Sequence, residues 1–372
     1  MSDTYQLLGA DISYYTGKAR AYLRYKGIPF EDVRATRDIY VRTILPRTGV
    51  AMIPVLMTPD DIAVQDTSEI IDFLEMRFPN PSVFPATPRQ GTIARLFELY
   101  GDEWLVIPAM HYRWNHNADA MYLEFGKVSQ PELSEAEQVE VGKETCKPFK
   151  GALPILGVTP ATEKAIEASY EQLLRDLDAH FKIYPFLFGT RPSIGDFGLM
   201  GPLYAHQYRD PASGEIMKRI APNVAKWVER MNAPDVKQGG FLADDEVPET
   251  LLPVIRRIFE EQFPPLHVMV DALGQWIEAH PEEPIPCAIP RTIGKQSFFL
   301  KERDGKIVTA ERGMFTFSQW MLQRVLDFYQ PLAGEARDSV DTLLDKVQGR
   351  EAMQFELKHR VTRVKNKLVA ET

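Results

Sequence analysis

Cysteine is nearly absent from this chain: Cys146 and Cys287 are the only two in 372 residues, 140 residues apart in the intervening sequence. That excludes a disulfide framework and any CxxC redox or zinc motif, and it points to a reducing, cytoplasmic setting. Long apolar runs are missing too. No stretch approaches the roughly 20 apolar residues that cross a bilayer, so no membrane span is expected. Met1 to Thr4 is polar and is followed at once by an apolar run, so no signal peptide is expected. An excess of positive charge is also lacking. Forty-three Lys and Arg stand against 52 Asp and Glu, for a net charge of −9. This argues against a dedicated nucleic-acid or anionic-membrane surface. Repeats and low-complexity tracts are absent as well. What remains is an ordinary globular composition, 44% apolar and 26% charged, with enough length for two or three domains.

The first 80 residues alternate between strand and helix. Tyr5–Ala10 reads as a strand. Thr16–Lys26 reads as a helix stopped by Gly27, and an extended segment follows from Ile28 to Val33. A weaker helix is expected over Asp38–Leu45. Val55–Met57 and Ile62–Val64 flank the polar turn Pro59-Asp-Asp61 as a hairpin, and a helix over Thr67–Arg77 follows, with Asp66 or Thr67 as its cap. The order is βαβ–α–ββα. Four prolines within the eleven residues Phe78–Pro88 then mark a linker.

Helices dominate beyond it. Arg89–Trp114 reads as one long helix with Pro108 as a possible kink. Further helices are expected over Thr162–Phe181, Ser193–Tyr208, Glu215–Met231 and Leu251–His280, the last interrupted near Pro264-Pro265. Gln238–Pro248 reads as a linker and Lys127–Lys150 is polar without a clear pattern. Asp304-Gly305 between Gln296–Lys301 and Lys306–Thr309 predicts a β-hairpin, and helices return from Phe317.

Three polar segments in the first 80 residues have chemical potential. Asp11-Ile-Ser-Tyr-Tyr-Thr16 carries Ser13, Tyr14 and Tyr15 into a helix N-terminus, where free N–H groups favour an anion such as a thiolate. Ile53-Pro54 precedes a strand; a cis bond there exposes the Ile53 N–H and C=O to a ligand. Asp66 and Thr67 sit at a second helix N-terminus and suit the ammonium and carboxylate of an amino-acid head group. Taken singly, each segment reads more simply as helix capping or a strand start.

Together, in this order, they resemble the glutathione transferase superfamily. The resemblance rests on Ser13…Lys18-Ala-Arg20, Lys26-Gly-Ile-Pro-Phe-Glu31, Ile53-Pro-Val-Leu56 and Asp66-Thr67…Ile70-Ile-Asp-Phe-Leu74. It continues through Tyr184-Pro-Phe-Leu-Phe-Gly189 and the capping box Ser193-Ile-Gly-Asp196, and covers about residues 5–232.

The resemblance implies an α+β architecture: a thioredoxin-like glutathione-binding domain (1–80), an all-helical domain (89–240) and a mostly helical C-terminal extension with a β-hairpin (245–372). It implies glutathione as co-substrate, with Ile53 beside a cis-Pro54 pairing with the cysteinyl backbone and Asp66 and Thr67 holding the γ-glutamyl group. Ser13 falls where serine classes place the hydroxyl that serves the thiolate, with Tyr14 or Tyr15 as substitutes if it points away. The tyrosine-class position is Gly9, and the lack of a cysteine at 13 disfavours disulfide exchange. The family's lysine before the cis-proline is missing from Gly49-Val-Ala-Met-Ile-Pro54, leaving Arg42 or Arg47 for the glycyl carboxylate.

An electrophile pocket is expected against the first long helix. Tyr100, Trp104 and His111 recur there at i, i+4 and i+11, although core packing explains them equally. No metal is expected, because the i, i+5 spacing of His111 and His116 suits no shared α-helical face. In the extension, Arg324 is expected to form a structural link with Asp327.

The leading functional expectation is a cytoplasmic, dimeric glutathione transferase of the detoxification type, adding the thiolate to a small apolar or aromatic electrophile. Thioether cleavage and dehalogenation are not separated from it. The alternative is a non-catalytic relative whose extension serves binding or assembly. Neither nucleic acid nor membrane is an expected partner.

Overall fold

A computed structural model describes residues 4–233, 239–281 and 288–371. Cys287 lies outside them; Cys146 is buried and free. The apolar run near the N-terminus forms β1 (Tyr5–Gly9), with Leu7 and Leu8 buried. It pairs in parallel with β2 (Phe30–Arg34) and antiparallel with β3 (Val55–Met57), which pairs with β4 (Ala63–Gln65), giving the order β2-β1-β3-β4. The helix Tyr14–Lys26 buries Ala19, Tyr22 and Leu23. It ends at Gly27, whose φ of 63° lets its N–H turn back to the Arg24 carbonyl. The helix Thr67–Arg77 buries Ile70, Ile71 and Leu74. This is the thioredoxin-like arrangement expected from the sequence, followed by a helical part and a C-terminal extension that is mostly helical with small hairpins.

The long helix expected over Arg89–Trp114 is one rod in four pieces. Two α-helical stretches, Pro88–Leu99 and Val106–His111, alternate with two π-helical turns, Tyr100–Trp104 and Tyr112–His116. Pro108 lies within an α-helical piece and is not the break. The patternless region contains two helices, Ala118–Ser129 and Glu135–Gly151, that cross at glycines. A methyl group on Gly142 would lie 1.7 Å from the Tyr122 carbonyl oxygen. Gly142→Ala is therefore expected to cost about 1–3 kcal/mol, read as a lower urea midpoint.

The helix expected over Glu215–Met231 is two helices, Pro211–Ile220 and Pro222–Asn232, because Pro222 has no N–H to continue the first and opens the second instead. Pro264 and Pro265 likewise sit in the first turn of the helix Phe263–Ala279, and the interruption before them is a π turn, Ile258–Gln262. The predicted linker near residue 245 is tied down: the Asp245 carboxylate accepts from the N–H groups of Arg89 and Gln90 at 2.7 and 2.8 Å, capping the rod. Ser193 and Asp196 form the expected capping box on the helix Ile194–Ala205.

The extension's predicted hairpin is present and longer than expected, β5 (Thr292–Lys301) with β6 (Ile307–Phe315). The helices Phe317–Tyr329 and Gly334–Lys346 follow, and then a second hairpin, β7 (Val361–Val364) with β8 (Lys367–Ala370). Phe298, Leu300, Leu322, Leu326 and Leu344 share one hydrophobic core with Leu96, Phe97 and Trp104. Arg324 does not pair with Asp327. It reaches Asp72 at 2.5 Å, while Asp327 binds Arg360 at 2.8 Å. Among the described residues no helix is long and apolar enough to cross a membrane.

Candidate functional site

The sheet register brings three segments together. Leu8 on β1 and Gln65 on β4 both stand opposite Val55 on β3. The C-terminal end of β1, the N-terminal end of β3 and the C-terminal end of β4 therefore lie side by side. Ser13, Ile53-Pro54 and Asp66 leave the sheet at that shared end.

Ser13 caps the helix Tyr14–Lys26, its Oγ accepting from the Thr16 N–H at 3.3 Å. That bond occupies an oxygen lone pair and leaves the hydroxyl hydrogen available to a second partner. The loop around it is held from below: buried Arg113 donates to the Ile12 carbonyl at 2.7 Å while gripping Asp210 with two nitrogens at 2.8 and 2.9 Å. Position 9 has no room for a phenol, since even a Cβ there would stand 2.3 Å from Thr16 Cγ2.

The two tyrosines point elsewhere. Tyr14 donates its phenolic hydrogen to the Gly101 carbonyl, and Tyr15 donates to the Asp102 carbonyl at 3.0 Å. Burial pushes both phenols well above their ordinary pKa; the carboxylates of Glu103, Asp102 and Asp66 push Tyr15 further, and Arg291 opposes them. Both stay protonated with their hydrogens already committed.

The Ile53–Pro54 bond is cis. Among the described residues no hydrogen bond engages the Ile53 N–H or C=O, so a peptide-like edge is open to a ligand. Asp66 adopts φ 84° and caps the helix Thr67–Arg77, accepting from the N–H groups of Ser68 and Glu69 at 2.9 and 3.4 Å. Thr67 is buried beside it. Arg42 and Arg47 are both paired, Arg42 with Asp38 at 2.6 Å in an exposed i, i+4 pair and Arg47 with Asp61 at 2.8 Å. Exposed pairs of this kind break at little cost.

The extension closes over this end of the molecule. Arg363 on β7 pairs with Glu69 at 2.8 Å and donates to the Gln65 carbonyl at 3.1 Å. Asn366, in the β7–β8 turn, donates to the Thr48 carbonyl at 2.9 Å. Ser318 donates to Glu103 at 2.5 Å. Burial raises the Glu103 carboxyl to about 7, against the opposing pull of Ser318, Arg291 and Arg312. Glu103, Trp104, Gln262, Arg312, Phe315 and Ser318 line a narrow cavity between rod and extension.

Tyr100, Trp104 and His111 do not share one open pocket. Tyr100 and Trp104 line a second narrow cavity with Tyr170, Glu261 and Leu300, and Trp104 donates to Glu261 at 3.3 Å. His111 lines neither cavity and faces Glu167. The π turns break the α-helical spacing on which the common face was read. Sequence reasoning also missed Glu103, Arg291 and Arg363. The alternation Val361-Thr-Arg-Val-Lys-Asn-Lys-Leu-Val-Ala370 around an Asn-containing turn is the signal that finds Arg363; nothing local marks the other two.

Residues 7–82 match the family model described as the glutathione S-transferase N-terminal domain, and residues 150–235 match that of the C-terminal domain. Through these two segments the chain belongs to the glutathione S-transferase superfamily. Solved structures similar to it include the Tau class glutathione S-transferase MiGSTU from mango, Mangifera indica, at 20% identity, covering 64% of this chain and 94% of that one with a TM-score of 0.42. Another is the beta-etherase LigF from Sphingobium sp. strain SYK-6, at 19% identity, 63% and 97% coverage, and a TM-score of 0.47. A third is rice OsGSTU1 in complex with glutathione, at 18% identity, 69% and 100% coverage, and a TM-score of 0.38. No curated protein matches the chain.

Proposed function

We propose that this protein is a glutathione transferase that uses Ser13 to stabilise the thiolate. The observation that carries the reading is the unpaired Ile53 N–H and C=O, which lies at the same sheet end as Ser13 and Asp66. A tripeptide running along that end pairs its cysteinyl backbone with Ile53. Its γ-glutamyl ammonium lies against Asp66 and its carboxylate against Thr67 at the positive end of the helix. The glycyl carboxylate draws Arg42 or Arg47 out of its exposed pair.

Ser13 is the hydroxyl left for the sulfur, because Tyr14 and Tyr15 have given their hydrogens to backbone carbonyls. Its Oγ–H donates to the sulfur more strongly once the thiol has lost its proton to solvent. That difference lowers the thiol pKa and raises the fraction of nucleophile near neutral pH. The thiolate then forms a carbon–sulfur bond to an apolar or aromatic electrophile. The cavity lined by Trp104 and Phe315 is the apolar surface next to Glu103, whose carboxyl shares an electrostatic neighbourhood with Tyr15 and Asp66.

Calorimetric titration of glutathione tests the reading. Wild type is expected to bind at millimolar glutathione or below, and Asp66→Ala to weaken binding about tenfold or more through the lost charge-assisted contact. Ser13→Ala is expected to keep binding while the bound thiol titrates at higher pH and turnover drops about 10²-fold. No heat with wild type at millimolar glutathione sinks the proposal.

A further inference from the structure

The π turn Tyr112–His116 creates a cluster outside the site described above. An α-helix would place residues five apart on different faces, whereas i→i+5 bonding stacks them one turn above the other. His111 and His116 accordingly come together, their rings 5.1 Å apart and edge to face. Both Nε2 atoms lie 3.1 Å from the same oxygen, Oε1 of Glu167 on the helix Glu163–Phe181. One donor atom from each of the three residues fits within a span of 4.8 Å. Four ligands at about 2.1 Å around a tetrahedral ion stand roughly 3.4 Å apart, so small side-chain movements suffice to seat one.

We propose that His111, His116 and Glu167 bind one divalent transition-metal ion of the zinc class. Two imidazoles and one carboxylate are the donor set that such an ion takes, and they leave a fourth position. That position opens to solvent, because His116 and Glu167 are 40% and 33% exposed while His111 is buried. Burial holds His111 below its ordinary pKa, in the neutral form that ligates. Asn115 Nδ2 stands 3.0 Å from His111 Nδ1 and 3.1 Å from Glu163 Oε1. With the amide turned over, its oxygen accepts from Nδ1–H and fixes the tautomer that presents Nε2 to the metal.

The ion would staple the rod to the helix Glu163–Phe181. The same π turn carries Arg113, which holds the Ile12 carbonyl beside Ser13. The proposed role is therefore to brace the turn that positions the thiol-site loop, and it stands whether or not glutathione binds there.

Tag-free full-length protein, stripped with chelator, is titrated with Co(II) and with Zn(II). The expected result is one equivalent bound at micromolar affinity or tighter, with the intense visible bands of tetrahedral Co(II) and a melting temperature raised by Zn(II). His116→Ala and Glu167→Gln, both at partly exposed positions, are expected to fold. Each is expected to weaken binding about 100-fold or more and to erase the thermal shift. A wild type that binds no equivalent at micromolar metal overturns the proposal. So does binding that both variants retain unchanged.

Discussion

Lys18→Met is expected to cost about 3–5 kcal/mol of stability at pH 8 and distinctly less at pH 5. The Lys18 ammonium is fully buried, 2.9 Å from Glu98, 2.6 Å from Asp102 and 3.2 Å from Ser68 Oγ. One cation thus serves two buried carboxyls, and they respond differently. Burial pushes Glu98 up, but Lys18 and Arg324 outweigh it and hold the group down at about 2. Burial dominates at Asp102 and, with Glu98 as a neighbour, raises it to about 7 despite Lys18.

The signs follow. Glu98 adds stability above its unfolded pKa, and loses it as pH falls toward 2. Asp102 costs stability as pH rises from its unfolded value toward 7. Removing Lys18 lifts both groups, so each must bind a proton to stay inside. The deficit of the variant is then largest at pH 8, where protons are scarce, and shrinks toward pH 5. Thermal or urea melts of wild type and variant at the two pH values measure it. Equal deficits at both would show that lost packing, not stranded charge, sets the cost.

A chain ending at residue 244 is expected to lose cooperative folding altogether. Phe298, Leu300, Met321, Leu322, Val325, Leu326, Val340 and Leu344 are buried in the same core as Leu96 and Phe97. Each such side chain contributes about 1.5–3 kcal/mol when buried, so their loss exceeds the 5–15 kcal/mol that a typical domain holds in reserve. Polar ties go with them: Asp245 on the N-terminus of the rod, Arg324 on Asp72, Ser318 on Glu103 and Arg363 on Glu69. The expected readout is a non-cooperative melt with a dye-binding apolar surface. A sharp melt within about 10 °C of the full chain would show that the extension is an independent appendage.

Much of this architecture was legible in the residues. The four-stranded order follows from short apolar runs punctuated by Gly27, Pro59-Asp-Asp61 and Asp66, and Asp304-Gly305 marks the β5–β6 turn. Ser13, Ile53 and Asp66 were nameable because loops at strand ends carry recognisable turn and cap chemistry. The role of the extension was not, because the partners of Arg324 and Arg363 lie about 250–300 residues away, and no local pattern encodes them. The β7–β8 hairpin escaped because its strands are only four residues long and its turn is Lys365-Asn366, without glycine. His111 and His116 were separated by assuming a single helical period where the chain uses two.

That second period has a meaning for how such a rod is assembled. Each wide turn accommodates one residue more than the α-helix around it and so advances the chain by about 100° of phase with little added length. Between Pro88 and His116 this happens twice. The two ends are out of register by about 200° relative to an unbroken helix. A single inserted or deleted residue in that span therefore acts as a rotation. It redirects every side chain beyond it while strands, loops and caps stay where they are.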